Sequence, residues 1–140
     1  MTVIVTGGAG FIGSHTVERL LSKGYNVMVV DNYYSGCPGN LPKSDGRLTV
    51  LEEDVSDTDN MNKLAPLIGE GDVEAIIHLA AIINIVEVSE NPQRALDVNV
   101  KGTLNILELA RKLGLKGWCS RLAQLSTGNQ CTSRWTRSTR

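Results

Sequence analysis

The sequence predicts an α/β fold, a doubly wound parallel sheet truncated after about strand four or five, and three observations predict it. Short apolar runs alternate with stretches of helical spacing. The first run, Val3-Ile4-Val5, breaks directly into Thr6-Gly7-Gly8-Ala9-Gly10-Phe11-Ile12-Gly13 at the start of a helical stretch. The second run ends on an acid, Asp31. Four strands alternating with three helical segments put helices on both faces of a parallel sheet. Right-handed crossovers give the strand order 3-2-1-4, and a ligand belongs over the carboxyl ends where strands one and four diverge. This is the Rossmann type.

The first strand leads through a tight turn into a helix predicted over residues 11–23, with apolar spacing at Ile12, Thr16, Leu20 and Leu21 and Gly24 as its stop. In such a turn Gly7 allows the sharp reversal, Gly10 lets the backbone approach a pyrophosphate, and Gly13 lets the helix pack against the sheet. The unpaired N–H groups of the helix start favour phosphate. Residues 25–30 form the second strand. Asp31 follows Gly13 by 18 residues, where an acid accepts both hydroxyls of an adenine ribose and repels a 2′-phosphate, favouring NAD over NADP. The alternative is a turn opened by Asp31-Asn32.

Residues 32–46, rich in Gly, Pro, Asn and Ser, read as a surface loop. The third strand is 48–51, and Ser56-Asp57 cap a helix over 58–67, with Pro66 near its end. Asp54 stands where strand three meets the ligand edge; it accepts from an adenine amino group or is one more solvated acid. The fourth strand, 74–81, ends in Ala80-Ala81, which leave room for a ligand beside the backbone. His78 has no Ser or Cys partner in the pattern and reads as a packed, hydrogen-bonded histidine. Asn91-Pro92 opens the longest helix, 91–113, with Ala95, Val98, Gly102, Ile106, Leu109 and Leu113 on its buried face. Asn99 lies beside that face and braces the neighbouring strand, while close packing on the sheet explains Gly102.

Composition narrows the function. Of 140 residues 41% are hydrophobic, enough for one core and one domain, and the net charge of −1 gives no footprint for nucleic acid or an anionic membrane. No apolar run approaches a membrane span, and the N-terminus runs straight into a strand, so a cytoplasmic location is expected. Cys37, Cys119 and Cys131 lack metal-ligand spacing and are read as isolated thiols. No metal site is expected.

These motifs together resemble the NAD-dependent epimerase/dehydratase family, the extended short-chain dehydrogenases/reductases. The matching residues are Thr6 to His15, Asp31-Asn32 with Ser35-Gly36, Asp54-Val55, His78-Leu79-Ala80-Ala81, Asn91-Pro92 and Asn99 to Glu108. Asp31-Asn32 with Ser35-Gly36 is most similar to UDP-glucose 4-epimerases; nucleotide-sugar dehydratases and decarboxylases share most of the rest. The resemblance implies a retained NAD that takes a hydride from a sugar carbon and returns it to the opposite face. It implies that Gly7, Gly10, Phe11, Ile12 and Gly13 hold the pyrophosphate and that Asp31 and Asn32 hold the adenosine ribose. Asp54 and Val55 flank adenine, Leu79, Ala80 and Ala81 run past the middle of the cofactor, and Asn99 sets that wall. It also implies a nucleotide-sugar substrate for the full-length family and a possible homodimer through the helix at 91–113.

The family's chemistry needs a Tyr-x-x-x-Lys pair, in which the lysine and the nicotinamide charge lower the tyrosine pKa. Tyr25, Tyr33 and Tyr34 are the only tyrosines, and none has a lysine four residues on, so no catalytic residue is assigned and the chain is expected to be inactive alone. The resemblance places a sugar-binding domain after this part, and that domain is expected to be absent.

Residues 1–117 read as an incomplete NAD-binding domain. Residues 118–140 carry four arginines, both tryptophans and no acid. Back-translation of Trp118 to Gly128 one base earlier is compatible with Val-Val-Leu-Ala-Ser-Ser-Ala followed by Ala-Val-Tyr-Gly, the family's continuation. Residues 118–140 are therefore expected to be an out-of-frame, disordered tail; a genuine basic tail binding an anionic partner is the alternative. Loss of strand five would leave strand four as an exposed edge. Two readings follow: the NAD-binding part of a nucleotide-sugar epimerase, or a non-catalytic nucleotide-binding module or relic.

Overall fold

The computed structural model describes residues 1–43, 46–68, 72–115 and the strand residues 119–120. Its strands are β1 (Thr2–Thr6), β2 (Asn26–Val30), β3 (Leu48–Leu51), β4 (Val73–His78) and β5 (Cys119–Ser120). All pair in parallel, in the order β3-β2-β1-β4-β5. The expected 3-2-1-4 order is thus extended by one short strand. β5 pairs Cys119 with Ile77 and Ser120 with His78, so β4 is not an open edge over those two residues. The rest of 118–140, with its expected disorder and frame, lies outside the described residues.

Strand alternation divides the core between the two faces of the sheet. Val3, Val5, Val27 and Val29 pack with Val17 and Leu21 of α1 (Phe11–Ser22) on one side. Ile4, Val30 and Ile76 point the other way, toward Met61 and Leu64 of α2 (Thr58–Ile68) and Ile106 and Leu109 of α5 (Thr103–Lys112). The inward face of α1 is the expected one at its end, where Leu21 is buried and Leu20 packs on the core, but not at its first turn. Gly13, Ser14, Val17 and Leu21 are buried, while Ile12 is 46% exposed, because two small residues let that side of the first turn lie against the glycine turn.

The helix expected at 91–113 runs as α4 (Pro92–Leu96), a six-residue π segment (Asp97–Gly102) and α5. Asn91 caps it, accepting from Arg94 N–H, with Pro92 at the first position as expected. Its predicted face is buried, from Ala95 through Leu113. Gly102 answers to a different neighbour than expected: a Cβ there would lie 2.8 Å from Val55 Cγ2, in the β3–α2 loop rather than the sheet. One helix went unread, α3 (Ile85–Glu90). Its cap, Asn84, accepts from Val86 N–H at 3.0 Å, and Asn84 followed by Glu87 has the spacing of a capping box.

Cys37 is disulfide-bonded, which corrects the expectation of three isolated thiols; its partner side chain lies outside the described residues. Among the described residues no helix is long and apolar enough to cross a membrane.

Candidate functional site

The carboxyl ends of β1, β2, β3 and β4 converge on one cleft. Gly7, Gly10, Val30, Asp31, Asn32, Asp54, Val55, Leu79, Ala80 and Ala81 line it, together with residues of the 34–36 loop, Glu53, Ile82, Arg94 and Val98. Nine of the thirteen residues singled out from the sequence are therefore gathered in one lining. The cleft holds about 100 Å³, less than the roughly 300–1,000 Å³ of ordinary small-molecule pockets, and is partly open to solvent.

The glycine turn is fixed by close backbone contacts. Gly7 adopts φ +68°, and a Cβ on it would lie 2.7 Å from Ala80 N. The turn thus rests directly on the chain leaving β4. A Cβ on Gly13 would lie 2.0 Å from Gly7 O, so Gly13 serves the packing of α1 on the turn, not on the sheet as expected. α1 starts without a side-chain cap and without an acid in its first turn. The first N–H groups of a helix lack intrahelical partners, which suits an anion here. Phe11 and Ile12 have exposed side chains, 59% and 46%, and lie outside the cleft's lining.

Asp31 is buried, and its carboxylate is already at work. Oδ2 accepts from Ala9 N–H at 2.8 Å and Oδ1 from Tyr33 N–H at 2.9 Å. It therefore opens a turn and also ties β2 to the glycine turn, which joins the two alternatives read from the sequence. A carboxylate has about four acceptor sites, so capacity remains for ribose hydroxyls. Tyr33 is held in the left-handed region at φ 56° by that same bond. Gly36 packs on Ala9 and Asp31 Oδ1, each 3.0 Å from where its Cβ would be, and Asn40 Nδ2 and Cys37 N–H both donate to Ala9 O.

Asp54 is more engaged than the sequence suggested. Its Oδ1 accepts from Ser56 N–H (2.8 Å) and Ser56 Oγ–H (2.6 Å). Its Oδ2 accepts from Asn32 Nδ2 (2.7 Å) and forms a salt bridge with Arg94 Nη2. Partial burial works to raise its pKa, but the bonds from Ser56, Arg94 and Asn32 outweigh it and hold the carboxyl at about 2. An adenine amino group would be a fifth donor and would have to displace one of these four. Asp54 is thus neither a free acceptor nor a solvated acid; it is the hub of the groove's far wall. Beyond this wall lies an open polar hollow of about 430 Å³, lined by Asp54, Ser56, Asp57, Thr58, Asp59, Arg94 and Lys101.

The wall formed by the chain after β4 is braced at two points. Asn99 exchanges two bonds of 2.8 Å with the backbone N–H and C=O of Ile82, a brace beyond the strand's end instead of on it. At the other point Thr6 Oγ1 accepts from Leu79 N–H at 3.2 Å and lies 2.6 Å from His78 Nδ1. His78 is buried as expected, and burial pushes its pKa down to about 4, so the imidazole is neutral.

Arg94, Thr6 and Asn105 escaped sequence reasoning. Arg94 binds Asp54 and Ser56 Oγ, and its guanidinium carbon stands 5.8 Å from the Tyr34 ring centroid. Asn105 donates to Val55 O at 2.9 Å and accepts from Thr58 Oγ1, pinning the β3–α2 loop. The one available signal was Asn105 itself, a polar residue beside the buried Ile106 that must be satisfied. Among the described residues no group of three His, Cys, Asp or Glu could hold a metal ion.

Known proteins match the sequence and the fold. The family model described as GDP-mannose 4,6 dehydratase matches residues 4–130. UDP-glucuronic acid decarboxylase 1 of Arabidopsis thaliana is 37% identical over 118 residues, covering 83% of this chain and 25% of that protein. The UDP-glucose 4-epimerase of Thermotoga maritima, solved with UDP-glucose, superposes with a TM-score of 0.77 at 37% identity. That match covers 86% of this chain and 37% of the epimerase. The UDP-glucose 4-epimerase of Thermus thermophilus, solved with NAD, gives a TM-score of 0.74 at 36% identity, covering 84% and 36%. The chain therefore spans about a quarter to two-fifths of the length of these relatives. An α/β sheet of this order, this groove and these matches put the chain in the GDP-mannose 4,6-dehydratase and NAD-dependent epimerase/dehydratase family, where it is similar to the N-terminal part of UDP-glucose 4-epimerases.

Proposed function

We propose that the chain binds NAD along this groove, as the cofactor-binding part of a nucleotide-sugar 4-epimerase. The observation that carries the reading is the common lining: the glycine turn, Asp31-Asn32, Asp54-Val55 and Leu79-Ala80-Ala81 come from four separate strand ends and meet in one cleft. The uncapped start of α1 binds the pyrophosphate through the N–H groups of Phe11, Ile12 and Gly13. Asp31 accepts the ribose hydroxyls on its remaining acceptor sites while it keeps Ala9 and Tyr33 in place. Asn32, an exposed donor to Asp54, is the bond most readily given up when adenosine arrives. Bound NAD supplies a hydride acceptor for a sugar carbon. This chain's own residues bind and orient it; the 140 residues include no tyrosine four residues before a lysine to move the sugar hydroxyl proton.

The second reading, a binding module without turnover by these 140 residues, is supported by that missing pair. Incubation with UDP-galactose and NAD is expected to give no UDP-glucose, whereas epimerisation by the 140-residue chain would refute this account of the tyrosine. We further propose that residues 118–140 are read out of frame. The acid-free composition and the shifted-frame motif support it, and coding DNA that cannot spell Ser-Ser and Val-Tyr-Gly in that frame would end it.

A homodimer through the helix at 92–112 belongs to the same proposal. Leu96, Val100, Leu104 and Leu107 are 43–63% exposed and recur along one side of it. Sedimentation at increasing concentration should give a dimer that Leu104→Glu abolishes; a monomer throughout would remove the dimer from the proposal.

A further inference from the structure

We propose that His78 is a positioning residue for the cofactor groove, fixed as its Nε2–H tautomer at the centre of a one-directional hydrogen-bond chain from β1 to the π segment. The inference rests on the NAD reading of the groove. The direction of the chain follows from its end. Thr103 Oγ1 lies 2.6 Å from Asn99 O, and a carbonyl can only accept, so the Thr103 hydroxyl donates there. Its single proton is then spent, and His78 Nε2, 3.2 Å away, must donate to it. In a neutral ring Nδ1 is then the acceptor, and it takes the Thr6 hydroxyl proton across 2.6 Å. The Thr6 hydroxyl oxygen in turn is left to accept: Ala80 N–H points to it at 3.4 Å, and Leu79 N–H is shared between it (3.2 Å) and the Thr6 carbonyl (3.1 Å). Each member therefore donates in one direction and accepts from the other.

The chain's two ends matter for the groove. Leu79 and Ala80 line it, and Ala80 N is the atom against which Gly7 packs. Asn99, the terminal acceptor, also clamps Ile82 through its side chain. Residues 79–82 are thus tied to Thr6 at one end and to Asn99 at the other, and His78 with Thr103 joins the two ties across the strand end. This sets the spacing between the glycine turn and the opposite wall. A protonated ring would donate from both nitrogens, turning Nδ1–H onto Thr6 Oγ1 beside Ala80 N–H and leaving the Thr6 hydroxyl proton without that acceptor, which agrees with burial keeping the ring neutral.

The test uses the full chain. Long-range ¹H–¹⁵N correlation near neutral pH is expected to find His78 neutral with its proton on Nε2; a proton on Nδ1, or an imidazolium, would overturn the proposal. Thr103→Val, nearly isosteric, removes the acceptor of that proton. It should speed amide exchange at Ala80 selectively, with Leu79 held by the Thr6 carbonyl, and shift the His78 ring signals, and a variant unchanged in both would count against the relay. NADH fluorescence titration adds the functional readout. His78→Leu should weaken binding about tenfold, and His78→Asn, which keeps an acceptor for Thr6, should recover most of it. Wild-type tautomer and exchange as expected but no NADH binding would sink the NAD reading and leave the relay standing. Equal NADH affinity in wild type and folded His78→Leu would sink the positioning role.

Discussion

Among the described residues the largest downward shifts fall on two side chains that line or brace the groove, His78 and Asp54. His78 has its folded pKa pushed below its usual value, to about 4, so the unfolded chain takes up a proton first. Its contribution is complete above about pH 6.5 and is lost as pH falls toward 4, an upper limit of roughly 3 kcal/mol. Asp54 is also depressed, to about 2, so its contribution is lost lower, as pH falls from the ordinary carboxylate range through 2. Solvent contact reduces that second loss to the order of 1 kcal/mol. Urea unfolding across pH should therefore find two acid steps, the upper one missing from His78→Asn; a single step unaffected by His78 would contradict the assignment. Arg94→Ala leaves Asp54 with one fewer charged donor and should cost about 1–3 kcal/mol in the same assay. Arg94 was invisible to sequence reasoning because a lone arginine early in a helix looks like any solvated charge. Its partner is 40 residues away, across a loop whose path only folding determines. Asp31 was legible because its distance from the glycine turn is set by the length of one strand–helix–strand unit.

At the scale of elements, the glycine turn and the helix it starts behave as one piece. A methyl group on Gly13 would meet Gly7 O at 2.0 Å, a backbone atom with nowhere to go. Gly13→Ala should thus destabilise by more than about 2 kcal/mol, measured by denaturant unfolding, whereas Gly39→Ala, with only the Cys37 sulfur 3.7 Å away, should be near neutral. Equal effects of the two would mean that the close packing is relieved by a shift of the helix. The strands and the long helix were readable because each carries a strong period and clear caps. The face of α1 was not, since its buried side uses Gly13 and Ser14, which carry no apolar signal. α3 was missed because six residues are too short for a period, and the π segment because its dihedrals stay close to helical and its sequence has no marker.

At the scale of the molecule, the sheet order places four strand ends on one groove. The groove is small, about 100 Å³, and the chain spans about a third of its structural relatives. The central claim is that this groove holds NAD with Asp31 on the ribose. Isothermal titration of the full chain with NAD tests it most directly. The account predicts one saturable site per chain, weakened about tenfold or more by Asp31→Asn in a variant whose fold is intact by circular dichroism, and little binding of NADP. No saturable heat with NAD, or NAD affinity indifferent to Asp31, would contradict it.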